Sequence, residues 1–514
     1  MTQTPSRIVI PPMDEYNQAL VDNVHPSNWQ NPRPQAQYDL VVVGSGTAGL
    51  VAAKGAAGLG IGLKVALIEK HLMGGDCLNV GCVPSKTIIR SGRAVANMRQ
   101  SKPYGVEPPE QITVNFPEVM RRVRKVRATI SPVDSAEGAA KTGLDMFLGH
   151  GHFIAPDCIQ VNDAKLHFKK AVIATGARAV EPKIPGMEEA GYLTNETVFN
   201  LTEQPKRLAV IGGGPIGCEL AQSFNRLGTK VALFHRHGHL LNKEDPDAAE
   251  IVQDSLIREG MQLVLNSKLV RVTATADGKR IDYESNGRPA SLVVDEILVG
   301  AGRAPNVQGL GLEEAGVDYD PRRGVIVDDK LVTSNPKIFA AGDICMNWKF
   351  THAADAAARI VIKNALFAPF GLGRSKLSDL VMPWVTYTDP EVAHVGLYER
   401  EAREQGIDID TIKIDFDDVD RALAEGDSEG FLKILHKRGS DEILGATIVA
   451  PHAGEMISEI TTAIVHKIGL SKMSSVIHPY PTEAEAIKKA ADAYRRTLLT
   501  PRSKTILGLL TKLA

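Results

Sequence analysis

From Tyr38 onward, short apolar runs alternate with glycine turns and alanine-rich stretches. Tyr38–Val43 reads as a buried strand, followed by a glycine turn, an Ala/Gly-rich helix and a second strand at Val65–Glu69. The same order returns at Arg207: strand Leu208–Ile211, turn Gly212–Gly217, helix Cys218–Leu227 and strand Lys230–Phe234. Two such units predict an α/β chain with two Rossmann-like dinucleotide-binding domains. Past Asp379 the pattern changes to strands (Phe431–Leu435, Ile443–Val449) and helices (Gly454–His466, Glu483–Leu498), which predicts a separate α+β domain. Residues 1–36 carry Pro11, Pro12, Pro26, Pro32 and Pro34 with little periodicity and predict an extended arm over the surface. After Pro501, Ile506, Leu507, Leu509, Leu510 and Leu513 predict a short amphipathic helix packed on the protein's own surface, with membrane-surface contact as the lesser alternative.

The chain has 514 residues, too many for one ordinary core, and its 43% apolar and 23% charged residues fit a globular protein. A net charge of −2 offers nucleic acid no global attraction. The densest basic run, Arg121 to Arg127, is interleaved with Val119, Val123, Val126 and Ile130 at helical spacing, so its cations are expected on the wet face of a helix. No basic segment followed by an apolar core opens the chain, and no apolar run reaches membrane-spanning length, so a cytoplasmic location is expected. Five cysteines do not make an extracellular disulfide framework; a close pair in a reducing compartment points to catalysis or metal binding.

Gly44, Gly46 and Gly49 sit between an apolar strand and a helix. The first allows a tight turn, the second close approach of a pyrophosphate, and the third close helix–strand packing. The helix N-terminus attracts phosphate, and Glu69 at the next strand end can accept hydrogen bonds from a ribose diol. Gly212, Gly214 and Gly217 repeat the turn, but the matching strand ends Phe234-His235-Arg236-His237 without an acid. An arginine there pairs with a 2′-phosphate, so NADPH is expected over NADH through Arg236.

Cys77 and Cys82 are five residues apart in a glycine-rich segment, Gly74 to Lys86. A regular helix would separate them by about 7.5 Å along its axis, more than a disulfide tolerates. If bridged, the segment must be irregular, and Gly81 supplies that freedom, while Pro84 suits the first turn of the next helix. Zinc is a poor alternative, since no second Cys/His pair stands at ligand spacing.

This segment resembles the active-site signature of the class I pyridine nucleotide–disulfide oxidoreductases, which include glutathione reductases, dihydrolipoyl dehydrogenases and mercuric reductases. The likeness extends to Ala174-Thr175-Gly176-Ala177, to Gly300 through Asn306, and to Ala340 through Asp343. It implies an FAD-binding domain at 37–190 and 310–379, an NAD(P)H-binding domain at 191–309, a dimerisation domain at 380–500 and a tail at 501–514. It also implies that Gly44, Gly46, Gly49, Glu69, Gly75, Thr175, Gly176 and Asp343 serve FAD, while Gly212, Gly214, Gly217, Arg236 and Gly302 serve NADPH. By the same resemblance Cys82 exchanges electrons with flavin, Cys77 meets the acceptor, and Lys86 and Glu219 form an ion pair beside the flavin. NADPH then reduces flavin, flavin opens the Cys77–Cys82 disulfide, and the Cys77 thiolate acts on the acceptor.

Disulfide reductases of this family end in a His-Pro-Thr-x-x-Glu segment supplied by the partner subunit, which implies a homodimer. Here Tyr480-Pro481-Thr482 leads to Glu485, with His478 two residues before the tyrosine. Tyrosine titrates near pH 10 and is a poor base at neutral pH. Mercuric reductases share a tyrosine here, so thiol-bound Hg(II), a soft ion suited to Cys77 and Cys82, is the expected acceptor, with no structural metal. Unlike typical mercuric reductases, the chain has no cysteine beyond Cys345 and no N-terminal Cys-x-x-Cys. The alternatives are a disulfide reductase using His478 as base and a diaphorase that bypasses the sulfurs.

Overall fold

The computed structural model describes residues 8–513. These form two compact units: residues up to Gly212 with Ser223–Ala232 and Lys268–Leu380, and Gly213–Gln222 with Leu233–Ser267 and Val381 onward. This partition cuts across the domains expected from the sequence, since residues 191–309 are divided between both units.

The first unit begins with helix α1 (Glu15–Val24), then β1 (Tyr38–Val43), α2 (Thr47–Ala57) and β2 (Val65–Glu69). Next come α3 (Gly75–Asn79), α4 (Cys82–Arg99), α5 (Phe116–Ile130) and strands β3 (Asp145–Leu148), β4 (Gly151–Ala155), β5 (Cys158–Val161) and β6 (Ala164–Ile173). Sheet order is β3-β2-β1-β6-β5-β4, and Ile338–Ala340 also pairs with β6. Burial explains the change of pairing along β6. Leu166 and Phe168 are buried between exposed Lys165, His167 and Lys169, as suits an edge pairing antiparallel with β5. Ala171–Ile173 is buried continuously where it lies parallel to β1 and to Ile338–Ala340. Leu40, Val41 and Val42 of β1 are fully buried, each side chain contributing about 1.5–3 kcal/mol of apolar transfer. The parallel strands end on the glycine turn before α2, which positions the site.

The second unit carries a five-stranded antiparallel sheet built from Pro383–Thr386, Glu391–Gly396, Ile443–Ala450, Phe431–Lys437 and Ile409–Asp415, in that spatial order. Helices Ala453–Val465 and Glu485–Thr497 cover it through Met456, Ile457, Ile460, Ala486, Ile487 and Ala490. This is the α+β layer the sequence predicts.

Three expectations are corrected. Part of the N-terminal arm is helical rather than extended: Asp14 caps α1 by accepting the Tyr16 and Asn17 N–H groups, and Leu20, Val21 and Val24 are buried. Residues 1–7 of that arm lie outside the described residues. Second, α5 does not keep all its cations wet, because Arg124 and Arg127 are buried. Arg124 pairs with Asp14 at 2.5 Å, and Arg127 donates to Asn17 Oδ1 at 3.0 Å and to the Asn79 carbonyl at 2.8 Å. Third, the tail is helical over Pro501–Leu513 but does not pack on the protein: Ile506, Leu507, Leu509, Leu510 and Leu513 are all exposed. No helix of the described residues is long and apolar enough to cross a membrane.

Candidate active site

Cys77 sits within α3 and Cys82 opens α4. Between them the helix breaks at Val80 and Gly81, so the pair avoids the separation a continuous helix would impose. A Cβ on Gly81 would lie 2.8 Å from the Asp76 carbonyl oxygen, so only glycine fits this break. Both sulfurs are thiols, and they are neighbours: a hydrogen bond with Cys82, then burial, raises the Cys77 pKa. Cys82 is exposed, and its sulfur lies 3.2 Å from Thr351 Oγ1. Asn79 stiffens the loop from inside by donating to the Met73 and Gly75 carbonyls at 2.9 and 2.8 Å.

The first glycine turn fits a pyrophosphate by construction. A Cβ on Gly49 would sit 1.7 Å from the Gly44 carbonyl oxygen, one on Gly75 2.6 Å from Gly46 Cα, and Gly44 itself has φ +98°. Side chains are thus excluded where the two backbones meet. No side chain caps α2 at Gly46, which leaves its leading N–H groups for an anion. Glu69 receives the Ser45 N–H and hydroxyl on Oε2 (2.7 and 2.8 Å) and the His71 N–H on Oε1, which fixes the acid at the strand end. Thr175 and Gly176 are tied to Asn306, whose amide donates to the Thr175 carbonyl at 2.9 Å and whose N–H donates to the Gly176 carbonyl at 3.0 Å. Asp343 is mostly buried, which raises its pKa, and its Oδ2 lies 3.2 Å from Arg303 Nε. Arg303 also pairs with Asp76, immediately before Cys77. The residue set therefore suits FAD: an uncapped helix end for phosphate, an acid for ribose, and a buried aspartate beside the cysteine loop.

The second turn matches the first in one detail the sequence reading missed. Val231-Ala232-Leu233-Phe234-His235 parallels Val65-Ala66-Leu67-Ile68-Glu69, so His235, not Arg236, stands where Glu69 does. The second residue of each turn makes the same bond: Gly213 N–H donates to His235 Nδ1 at 3.0 Å, as Ser45 N–H does to Glu69. Burial, then the cations around it, push the His235 pKa down to about 4. The repeated Val-Ala-Leu was the available signal. Arg236 is exposed, its Nε 3.0 Å from His237 Nε2. Gly212 packs near Gly300, while Gly302 (φ +84°) lies against Val180 in the first unit. Gly214 has open space around it, and Gly217 lies within the helix Pro215–Arg226.

Lys86 Nζ lies 3.4 Å from Ser85 Oγ, and Glu219 accepts the Tyr387 N–H at 3.0 Å. Tyr480 is 70% exposed and donates its hydroxyl to Asp420 at 2.8 Å; that carboxylate raises its pKa. Glu485 has a buried Oε2 without a hydrogen-bond partner among the described residues. His478 does not join these two: its Nε2 lies 2.9 Å from Glu459 Oε1. Cys158 and Cys218 are buried, and burial raises both thiols; Cys345, held near the Gly342 carbonyl, is pushed up to about 12. Among the described residues no cluster of His, Cys, Asp or Glu could hold a metal ion. Sequence reading gave no role to Asp76 and Asn79 within the signature segment, or to Thr351, which carries no motif; all three gain their contacts only through the fold.

The chain is similar to known proteins over most of its length. Residues 38–358 match the pyridine nucleotide–disulphide oxidoreductase model, and residues 382–491 match the dimerisation domain of the same group. The mercuric reductase of Staphylococcus aureus is 36% identical over 461 residues, covering 88% of this chain and 82% of that protein. The dihydrolipoyl dehydrogenase of Geobacillus stearothermophilus is 34% identical over 462 residues, covering 89% and 96%. Among solved structures, the HOCl-induced flavoprotein disulfide reductase RclA of Escherichia coli superposes with TM-score 0.77 at 27% identity, covering 88% of this chain and 99% of that one.

Proposed function

Because the chain belongs to the pyridine nucleotide–disulphide oxidoreductase family, we propose that it is an NADPH-dependent flavoenzyme whose Cys77 and Cys82 deliver electrons to thiol-bound Hg(II). FAD, when bound, supplies a two-electron relay between nicotinamide and sulfur. Gly44, Gly46, Gly49, Glu69, Gly75, Thr175, Gly176 and Asp343 would hold it. Gly212, Gly214, Gly217, Arg236 and Gly302 would hold the nucleotide. Cys82 is the sulfur nearer the electron source, and Cys77 binds the acceptor; Lys86, one turn along the helix that Cys82 opens, keeps positive charge beside them. The enzyme works as a homodimer in the cytoplasm, with Tyr480 and Glu485 serving the neighbouring subunit's sulfurs.

The acceptor class rests on Tyr480. Reducing a disulfide with NADPH consumes a proton and leaves two thiols, so it needs a group that trades protons near neutral pH. Reducing a bis-thiolate Hg(II) complex with NADPH gives Hg(0), NADP+, two thiolates and one proton; the thiolates leave from the metal, so no side chain has to protonate a sulfur–sulfur leaving group. A hydroxyl that donates to Asp420 and is held above its ordinary value cannot take a proton. Two thiolates on one loop suit a soft, two-coordinate ion.

A second reading is favoured by the His478–Glu459 contact, a ready-made histidine–carboxylate unit that could serve a disulfide reductase. Anaerobic NADPH oxidation with Hg(II)–thiol complexes, lipoamide and glutathione disulfide separates the two. Turnover greatest with Hg(II) and lost in Cys77→Ser is expected. Lipoamide turnover far above Hg(II), abolished by His478→Ala, would transfer the assignment to the second reading.

A further inference from the structure

Residues before Tyr38 lie outside the region that the family model matches, yet they support the cysteine loop at three points. Met73 N–H donates to the Val24 carbonyl at 3.2 Å, at the end of α1. His25 Nδ1 contacts the His71 carbonyl. The third is a relay: Asn17 Oδ1 accepts from Arg127 at 3.0 Å, and Arg127 donates to the Asn79 carbonyl, midway between the two cysteines, at 2.8 Å. Asn17 is itself held by donating to the Pro12 carbonyl at 2.8 Å.

Arg127 is an expensive residue to place here. It is 1% exposed, its two bonds run to neutral oxygens, and its Nε has no partner. Burying a guanidinium without a direct carboxylate costs stability, and burial with the neighbouring Arg124 lowers its pKa to about 10. A leucine would pack an inert core at this depth more cheaply. What the guanidinium adds is a rigid two-ended link from the N-terminal segment to the turn that sets the sulfur positions.

We propose that residues 10–25 form a strap that holds the Cys77–Cys82 loop in its working geometry, with Asn17 and Arg127 as positioning residues. The relevance to turnover rests on the electron route given above, but the positioning itself is read directly from the thiols.

The full-length flavoprotein is prepared as Asn17→Ala, Arg127→Lys and, as control, Arg403→Ala, which removes an exposed pair with Glu399 outside residues 10–25. Iodoacetamide alkylation of the reduced Cys77 and Cys82 is followed by peptide mass, with amide hydrogen exchange over 74–82. Both loop variants are expected to alkylate about ten-fold faster and exchange faster, as suits a displaced loop, while NADPH bleaches the flavin at the parental rate. The control should match the parent. Should Arg127→Lys fail to fold, Asn17→Ala decides alone. Unchanged alkylation and exchange in a folded loop variant, or an equal rise in the control, overturns the proposal. If instead Cys77→Ser leaves acceptor turnover intact, the electron route fails while the strap is judged on its own readouts.

Discussion

The two glycine turns solve one problem with different chemistry. Each must satisfy the N–H of its second residue from the end of the neighbouring strand. Glu69 does so with a carboxylate and His235 with a neutral ring nitrogen. The carboxylate leaves negative charge for hydroxyl groups; the imidazole leaves none, and Arg236 beside it adds a cation. A turn that accepts its own N–H without a negative charge can admit a phosphorylated ribose, and this supports the proposal of NADPH for the second turn. The turns also differ in tightness. At the first glycine of each turn a Cβ would meet the Ala174 carbonyl oxygen at 2.4 Å (Gly44) and the Gly300 backbone at 3.0 Å (Gly212).

That contrast can be broken in three ways. The largest effect should come from Gly44→Ala, which must displace the Ala174 backbone: a loss of about 3 kcal/mol or more in urea unfolding, and flavin lost on gel filtration. Gly212→Ala shares the positive φ but meets its neighbour less closely and should cost about 1 kcal/mol less. Equal losses would mean that the turns are not built differently. Next, His235→Glu restores the carboxylate and should lower the ratio of kcat/KM for NADPH over NADH about a hundred-fold. A ratio that stays put would place specificity elsewhere. The smallest effect is a pH slope. His235 is neutral in the fold down to about pH 4, while in the unfolded chain it gains a proton below about 6.5. Its contribution is therefore fully present above pH 6.5 and lost as pH falls from there to about 4. Thermal unfolding of His235→Gln across that window should show a shallower fall than the parent.

The parallel strands, both glycine turns and the break between the cysteines were legible because each is written locally. An apolar run buried on both faces, a glycine where Cβ cannot fit, and a helix that must stop before Gly81 need no distant partner. What was illegible depended on partners far along the chain. Arg124 and Arg127 look like any cations on an amphipathic helix until Asp14, Asn17 and the Asn79 carbonyl are brought to them. Helix α1 was hidden by its flanking prolines, although Asp14 as cap and Leu20, Val21 and Val24 one turn apart were there to be read. Tyr480 was found at once, but that its hydroxyl is engaged by Asp420 could come only from the fold.

The Arg303 bridge carries an evolutionary corollary. One guanidinium satisfies carboxylates from two distant stretches, Asp76 beside the cysteines and Asp343 at the end of a sheet strand. Loss of Arg303 takes the cation from both carboxylates, and loss of either carboxylate leaves the guanidinium one partner short, so substitutions at 76, 303 and 343 should be inherited together, as a covarying triplet within any lineage that keeps this loop.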